Sequence, residues 1–308
     1  MSLTAWRLDG DYMQAKHSLE FARAPAVWSM YPKMLVSRKP SLVADGAAVP
    51  RIEARLSRVT IDRKHLAAYA DVCGAAAGPT LPIAYPHVLA MPLHLAMLGA
   101  EAFPVKLFGL VHVQNRIAMR QPLSAEEPAE IRSWIEGHRD TDRGQEFDLH
   151  TEYVAGGAAL WDETCTFLAR KRPPAGAVKP SASRTVEGAP DAVAMKSSSF
   201  RAPSGLGRRY GFISGDVNPI HMSDLTARAF GFPRAIAHGM WSLGRSASDF
   251  EAEQFDGGCE LSVSFKLPIY MPSWLMLQRW PIENGSGFAL RDGQGEKPHL
   301  TGTLKSLR

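Results

Sequence analysis

The same order of events occurs twice along this chain, and no other feature narrows the possible folds as much. Tyr69-x4-Gly74 closes one helical stretch and Tyr210-x4-Gly215 closes another. Each is followed by a histidine that opens an apolar helical run, His87 to Met97 in the first half and His238 to Ser248 in the second. In the second run Met240, Leu243, Ala247 and Phe250 recur at steps of three and four, which predicts a helix with one apolar stripe to bury. In the first run Pro92 predicts a helix that kinks or starts late. Strand patterns follow both runs. Leu261, Val263, Phe265 and Leu267 alternate with polar residues, as do Val111, Val113, Asn115 and Ile117. Phe147 to Tyr153 and Trp161 to Ala169 flank a Gly156-Gly157 turn. The pattern reads as one α+β unit, a helix covered by a curled antiparallel sheet, present in duplicate; two unrelated α+β domains are the alternative.

The break between the halves is the Pro-, Ala- and Ser-rich stretch 171–199, which has no sustained period and reads as a linker between a unit at 1–170 and one at 200–308. Hydrophobic residues at 45% and charged residues at 21% exclude a mainly disordered chain. Three distant cysteines, Cys73, Cys165 and Cys259, offer neither a disulfide framework nor a zinc-finger spacing. The first residues lack a signal-peptide h-region, no apolar run is long enough to span a bilayer, and the expected location is cytoplasmic. The net charge of +4 comes without a basic block interleaved with aromatics. It fits an anionic small-molecule ligand better than nucleic acid.

The densest group of unusual residues runs from Tyr210 to Asp224 and on to Met240. Pro219 biases Asn218 toward an extended conformation, so Asp216 to His221 should form a compact loop that brings a carboxylate and an imidazole together. A helix should start at Ser223 or Asp224 and stop at Gly231, before Pro233. A carboxylate and an imidazole sharing one water can deliver a proton to one substrate atom and hydroxide to the next, with Asn218 orienting the water. An isolated D-x4-H would by itself more often be a capped turn and a histidine in a polar niche.

The flanking residues decide against that simpler reading. S-G-D-x-N-P-[IL]-H followed by G-F-x-x-x-I-x-H-G-M resembles the MaoC-like family of (R)-specific enoyl-CoA hydratases and related dehydratases, and the likeness spans Tyr210 to Met240. The resemblance implies a double hot-dog fold, in which each sheet wraps a central helix. It implies that Asp216 and His221 activate water for syn addition to a trans-2-enoyl thioester, giving a (3R)-hydroxy product, with Asn218 holding the water. It also places the Gly239 N–H opposite the thioester carbonyl. Helix geometry supports that last role independently, because a helix N-terminus presents unpaired N–H donors to the negative charge developing on the thioester oxygen. His238 is either structural or part of the same substrate-binding site.

The first half departs from this pattern. Gly215 to His238 spans 23 residues and Gly74 to His87 only 13, and Gly74-Ala-Ala-Ala-Gly-Pro-Thr80 carries no acid or base. One active site per chain is expected, with the resemblance implying that the stripped unit makes room for a longer or bulkier acyl chain. Ser264 to Pro272 resembles the family's return strand, with Met271-Pro-Ser273 in place of its usual turn, and Arg291 to Leu300 resembles the tail of double-length members. Arg208, Arg209, Arg234 and Arg245 are candidates for the phosphates of coenzyme A or acyl carrier protein. No metal, flavin or nicotinamide is expected, the thioester carrier being part of the substrate, and the assembly is expected to be a monomeric double hot-dog or a homodimer. A Ser-His-Asp hydrolase lacks its G-x-S-x-G elbow, and a metal site on Asp216, His221 and His238 lacks a known spacing. A hot-dog thioesterase and a non-catalytic acyl-thioester-binding subunit are the remaining alternatives.

Overall fold

The computed structural model describes residues 17–76, 78–171, 195–250 and 257–307. Strands β6 (Gly144–Ala155) and β7 (Ala158–Arg170) form the longest hairpin, joined through Gly156 and Gly157 at φ of 56° and 79°. Two adjacent left-handed residues match the twist of the flanking strands, and glycine adopts them without steric cost. On this hairpin the first-half sheet is built outward: β1 (His17–Phe21), β2 (Ile52–Val59) and β4 (Ala129–Ile135) on the β6 side, β3 (Leu110–Met119) on the β7 side, and the short β5 (Arg139–Thr141) paired to β6. The second-half sheet runs β9 (Cys259–Phe265), β12 (Pro298–Ser306), β11 (Gly285–Asp292), β10 (Ser273–Ile282) and β8 (Lys196–Ala202). Antiparallel pairing of β3 with β9, Ile117 opposite Leu261, fuses the halves into one twelve-stranded sheet.

Each half wraps a helix. α3 (Tyr85–Gly99) lies against β2, β4 and β6, and α7 (Gly239–Ala247) buries its predicted stripe, with Trp241 edge-on to Phe200 of β8. Just beyond α7, Phe250 is edge-on to Phe288 of β11. The helices α2 (Arg63–Cys73) and α4 (Leu206–Ser214) cross between halves. α2 packs on α7, where Trp241 Nε1 donates to the Val72 carbonyl at 2.9 Å, and α4 packs on α3. α2 and α4 also meet, with His65 Nε2 2.7 Å from the Ile213 carbonyl.

The first-half helix does not start late: it begins at Tyr85, with Pro86 in its first turn where a missing N–H costs nothing, and continues through Pro92. The alternation ending in Leu267 stops as a strand at Phe265. The Lys266 and Leu267 N–H groups still donate to the His299 and Pro298 carbonyls of β12, and residues 269–271 then pair with the segment before α7, through Ala237 N–H to Ile269 O and Met271 N–H to Ala235 O, both 2.9 Å. Of the stretch read as a linker, residues 172–194 lie outside the described residues. Its last four, Lys196 to Ser199, belong to β8 and pair with β10, because their backbone completes the edge of the sheet.

Candidate active site

α4 ends on Gly215 at φ of 79°, a left-handed cap that turns the chain into the Asp216 segment. Two glycines of α4 set how closely that segment lies. A Cβ on Gly207 would stand 1.9 Å from the His221 carbonyl oxygen, and one on Gly211 2.8 Å from the Asp216 carbonyl oxygen. The expected compact loop is there and contains one helical turn, α5 (Pro219–Met222), capped by Asn218, whose Oδ1 accepts the Ile220 N–H at 3.3 Å. Ser223 caps α6 (Asp224–Ala229), and Gly231 follows with φ of 86°. The return to α7 is fixed by Asp224 Oδ1 accepting the Ala235 N–H at 2.9 Å and by the Ile236 N–H donating to Ile220 O at 3.1 Å.

This path puts Asp216, His221 and His238 together, with one donor atom of each within 4.8 Å of the others. The two imidazoles stack at 3.8 Å between centroids. Their tautomers follow from their partners, because a carbonyl only accepts. His221 Nδ1–H donates to Ile236 O at 2.7 Å, which leaves Nε2 as a lone pair. His238 Nε2–H donates to the backbone carbonyl of Asp216 at 2.8 Å, while Asp216 Oδ2 is 3.9 Å away. Both histidines are buried, whereas the Asp216 side chain is 30% exposed. Burial pulls the His221 pKa down, and it pulls His238 down to about 3, helped there by the neighbouring His221 ring. Burial alone would raise Asp216. The surrounding imidazoles, the Asn218 N–H and a tyrosine hydroxyl outweigh it and hold the carboxyl below its ordinary value. At neutral pH the cluster is one carboxylate and two neutral rings.

The tyrosine is Tyr31, on the short helix α1 (Tyr31–Leu35) between β1 and β2 of the first half, and sequence reasoning missed it. Nothing local marks it, since it meets Asp216 across 185 positions of sequence. Gly239 opens α7 directly after His238, where no preceding carbonyl of the helix accepts its N–H. A Cβ there would come within 3.1 Å of the Phe265 ring, so glycine keeps this helix mouth against β9.

All four arginine candidates have partners within the chain: Arg208 donates to the Met222 carbonyl at 3.2 Å, and Arg234 lies 5.9 Å over the Tyr270 ring. Arg245 lies 4.0 Å over the Phe200 ring and pairs with Asp249, and Arg209 pairs with Asp71. The first half carries no acid or base in its shortened loop, yet a polar cluster lies beneath α3 that the sequence reading did not find. His87 Nδ1 is 2.8 Å from Glu163 Oε2, Asn115 Nδ2 donates to Glu163 Oε1 at 2.7 Å, and His94 Nε2 meets Thr151 Oγ1 at 2.7 Å. His87, Glu163 and Cys165 form a second group with donor atoms close enough for a cation. The available signal was the polar residues among apolar ones at Asn115 and Glu163, on the buried faces of β3 and β7.

A twin set of helices inside one wrapped sheet, with an acid and an imidazole at the mouth of the second helix, defines a double hot-dog enzyme of the dehydratase type. A sequence model of the MaoC like domain matches residues 182–303, and a relative 30% identical over 260 residues covers 84% of this chain and 91% of its own length. The chain belongs to the MaoC-like dehydratase family and is a hydro-lyase of the hydratase/dehydratase kind. That relative is 3-hydroxyacyl-thioester dehydratase X of Mycobacterium tuberculosis. The crystal structure of HtdX from the same organism superposes with a TM-score of 0.71 at 29% identity, over 83% of this chain and all (100%) of that one. A MaoC-like dehydratase from Phytophthora capsici shares the fold, with a TM-score of 0.67 at 16% identity over 86% and 98% of the two chains.

Proposed function

We propose that the protein adds water reversibly to a trans-2-enoyl thioester, giving the (3R)-hydroxyacyl product, and that Asp216 and His221 share the reacting water. The observation that supports this reading is the gathering of the Asp216 carboxylate and the His221 imidazole, one ligand atom of each within 4.8 Å of the other, with the His221 Nε2 lone pair left free by the Nδ1–H bond to Ile236. A water between them donates one hydrogen to each, so its own lone pair faces the substrate. Its oxygen bonds to C3 as a proton passes to the dyad, and the double-bond electrons move onto the thioester oxygen. Return of a proton to C2 completes the addition; dehydration runs the same steps backwards. The pair titrates as a unit, so the proton belongs to both residues together.

The negative charge on the thioester oxygen falls to the Gly239 N–H, a donor whose loss should cost about 3 kcal/mol of barrier. Asn218 holds the dyad loop by capping α5, and we propose that its amide also faces the water. His238, neutral and bound to the Asp216 carbonyl, keeps the backbone of the acid in place. The name of the Mycobacterium relative, a 3-hydroxyacyl-thioester dehydratase, supports the same substrate class. Coenzyme A or acyl carrier protein enters as the carrier of the acyl group, and the chemistry requires no further cofactor.

The test is an absorbance assay across short, medium and long trans-2-enoyl-CoAs with chiral analysis of the product. Loss of enoyl absorbance without free thiol, and a (3R) product, is the expected result. Thiol release would instead indicate a thioesterase, and binding without turnover a non-catalytic subunit.

A further inference from the structure

Tyr31 is buried, and its hydroxyl touches the catalytic segment at three points. It accepts the Val217 N–H at 2.9 Å, and its single proton faces both the Gly215 carbonyl at 3.2 Å and Asp216 Oδ1 at 3.3 Å. The Asn218 N–H donates to the same Oδ1 at 3.2 Å. Oδ1 thus faces two donors, and the other carboxylate oxygen, Oδ2, lies 3.9 Å from His238 Nε2. Burial and the adjacent carboxylate push the Tyr31 hydroxyl well above its ordinary pKa, so it stays protonated and available as a donor.

The tyrosine does not belong to the hot-dog unit that carries the dyad. α1 lies in the first half, between β1 and β2, and is anchored on α3 by Met34, which packs with Leu95 and lies against Gly99. Val27, just upstream, approaches Gly215, where a Cβ would stand 3.2 Å from its Cγ1. The segment thus links the catalytic turn to the first-half helix.

We infer that Tyr31 is a positioning residue of the hydration reaction, fixing Oδ1 of Asp216 so that Oδ2 meets the reacting water. The inference rests on the proposed function for its kinetic consequence and on the hydrogen bonds alone for its structural one. A hydrogen bond to the charged form lowers a carboxyl pKa, so its removal raises it.

The test is Tyr31→Phe, which keeps the ring and removes the hydroxyl, alongside Met34→Ala, which loosens α1 without touching Asp216. With trans-2-enoyl-CoA as substrate, Tyr31→Phe should lower kcat about tenfold or more with KM little changed. Its kcat/KM relative to the unmodified protein should fall further as pH is lowered, measured where thermal unfolding shows both proteins folded. Met34→Ala should lower the melting temperature and leave that ratio independent of pH. A pH-independent ratio for Tyr31→Phe, or the same pH dependence in Met34→Ala, would overturn the inference. If the unmodified protein turns over no enoyl thioester, the proposed function falls, and a crystal structure of Tyr31→Phe then decides for Tyr31. A carboxylate swung away from the Asn218 N–H supports the positioning role, and an unmoved one refutes it.

Discussion

Two stacked histidines carry opposite tautomers, and that difference separates their tasks. His221 gives its Nδ1 proton to Ile236 and keeps a lone pair at Nε2; His238 gives its Nε2 proton to the Asp216 backbone. Replacing His238 with alanine removes that donor from a partly buried carbonyl, which should cost about 1 kcal/mol or more in urea unfolding and also lower kcat. Asn218→Ala removes the cap of α5 and should cost about 1 kcal/mol by the same measurement. The closeness of Asp216 and His221 was legible in sequence because Asn218-Pro219 confines the six residues from one to the other to a single compact loop. The contacts of His238 and Tyr31 with the same aspartate were not legible, since they cross 22 and 185 positions and depend on how separate helices pack.

Among the elements, α4 governs the site by what it lacks. Gly207 and Gly211 stand one turn apart on the face that receives the catalytic segment. Gly207→Ala places a methyl inside the radius of the His221 carbonyl and must push α4 and α5 apart. The expected result is a loss of at least about 1 to 3 kcal/mol in stability, read by denaturant titration, together with reduced turnover. Gly244 has the same function where α7 meets α2, since a Cβ there would stand 2.7 Å from the Tyr69 hydroxyl. The helices themselves were legible from their stripes and caps, including Ser223 before α6 and Gly231 after it. The tight approach of α4 was not, because a glycine in sequence does not say which backbone lies beside it. Pro92 gave a misleading signal for a related reason: the start of α3 is set by Pro86 and by packing on the sheet, not by the later proline.

At the scale of the whole molecule, duplication brings buried titratable groups into both halves. Burial holds His94 near a pKa of about 3 and His112 of about 4, each also lowered by the nearby His87, and His238 is down to about 3. For each, the folded pKa lies below the unfolded value, so the folded state binds fewer protons. Their contribution is complete above a pH of about 6.5 and is lost as pH falls toward the folded pKa values. For Glu163 burial is the largest influence and would raise the pKa, but His87, His94 and the Asn115 hydrogen bond together outweigh it and bring it down to about 2, so its contribution is lost in the same direction at lower pH. Stability measured by urea titration should therefore decline steadily from neutral pH into acid, and His94→Gln should make that decline shallower. The duplicated order of helix and sheet was readable from the chain, as was the stripped loop of the first half. The exchange of α2 and α4 between halves and the polar cluster beneath α3 were not, since periodicity reports which face is buried and not what it is buried against.

The central claim is that Asp216 and His221 act as one unit on a single water. Its most direct test is the rate of enoyl-thioester hydration in Asp216→Asn, in His221→Ala and in the double variant, with each protein checked for folding. The account predicts that each single change lowers kcat by about 100-fold or more and that the double variant is little slower than either one. Near-normal turnover in either single variant, or losses that multiply in the double variant, would contradict it.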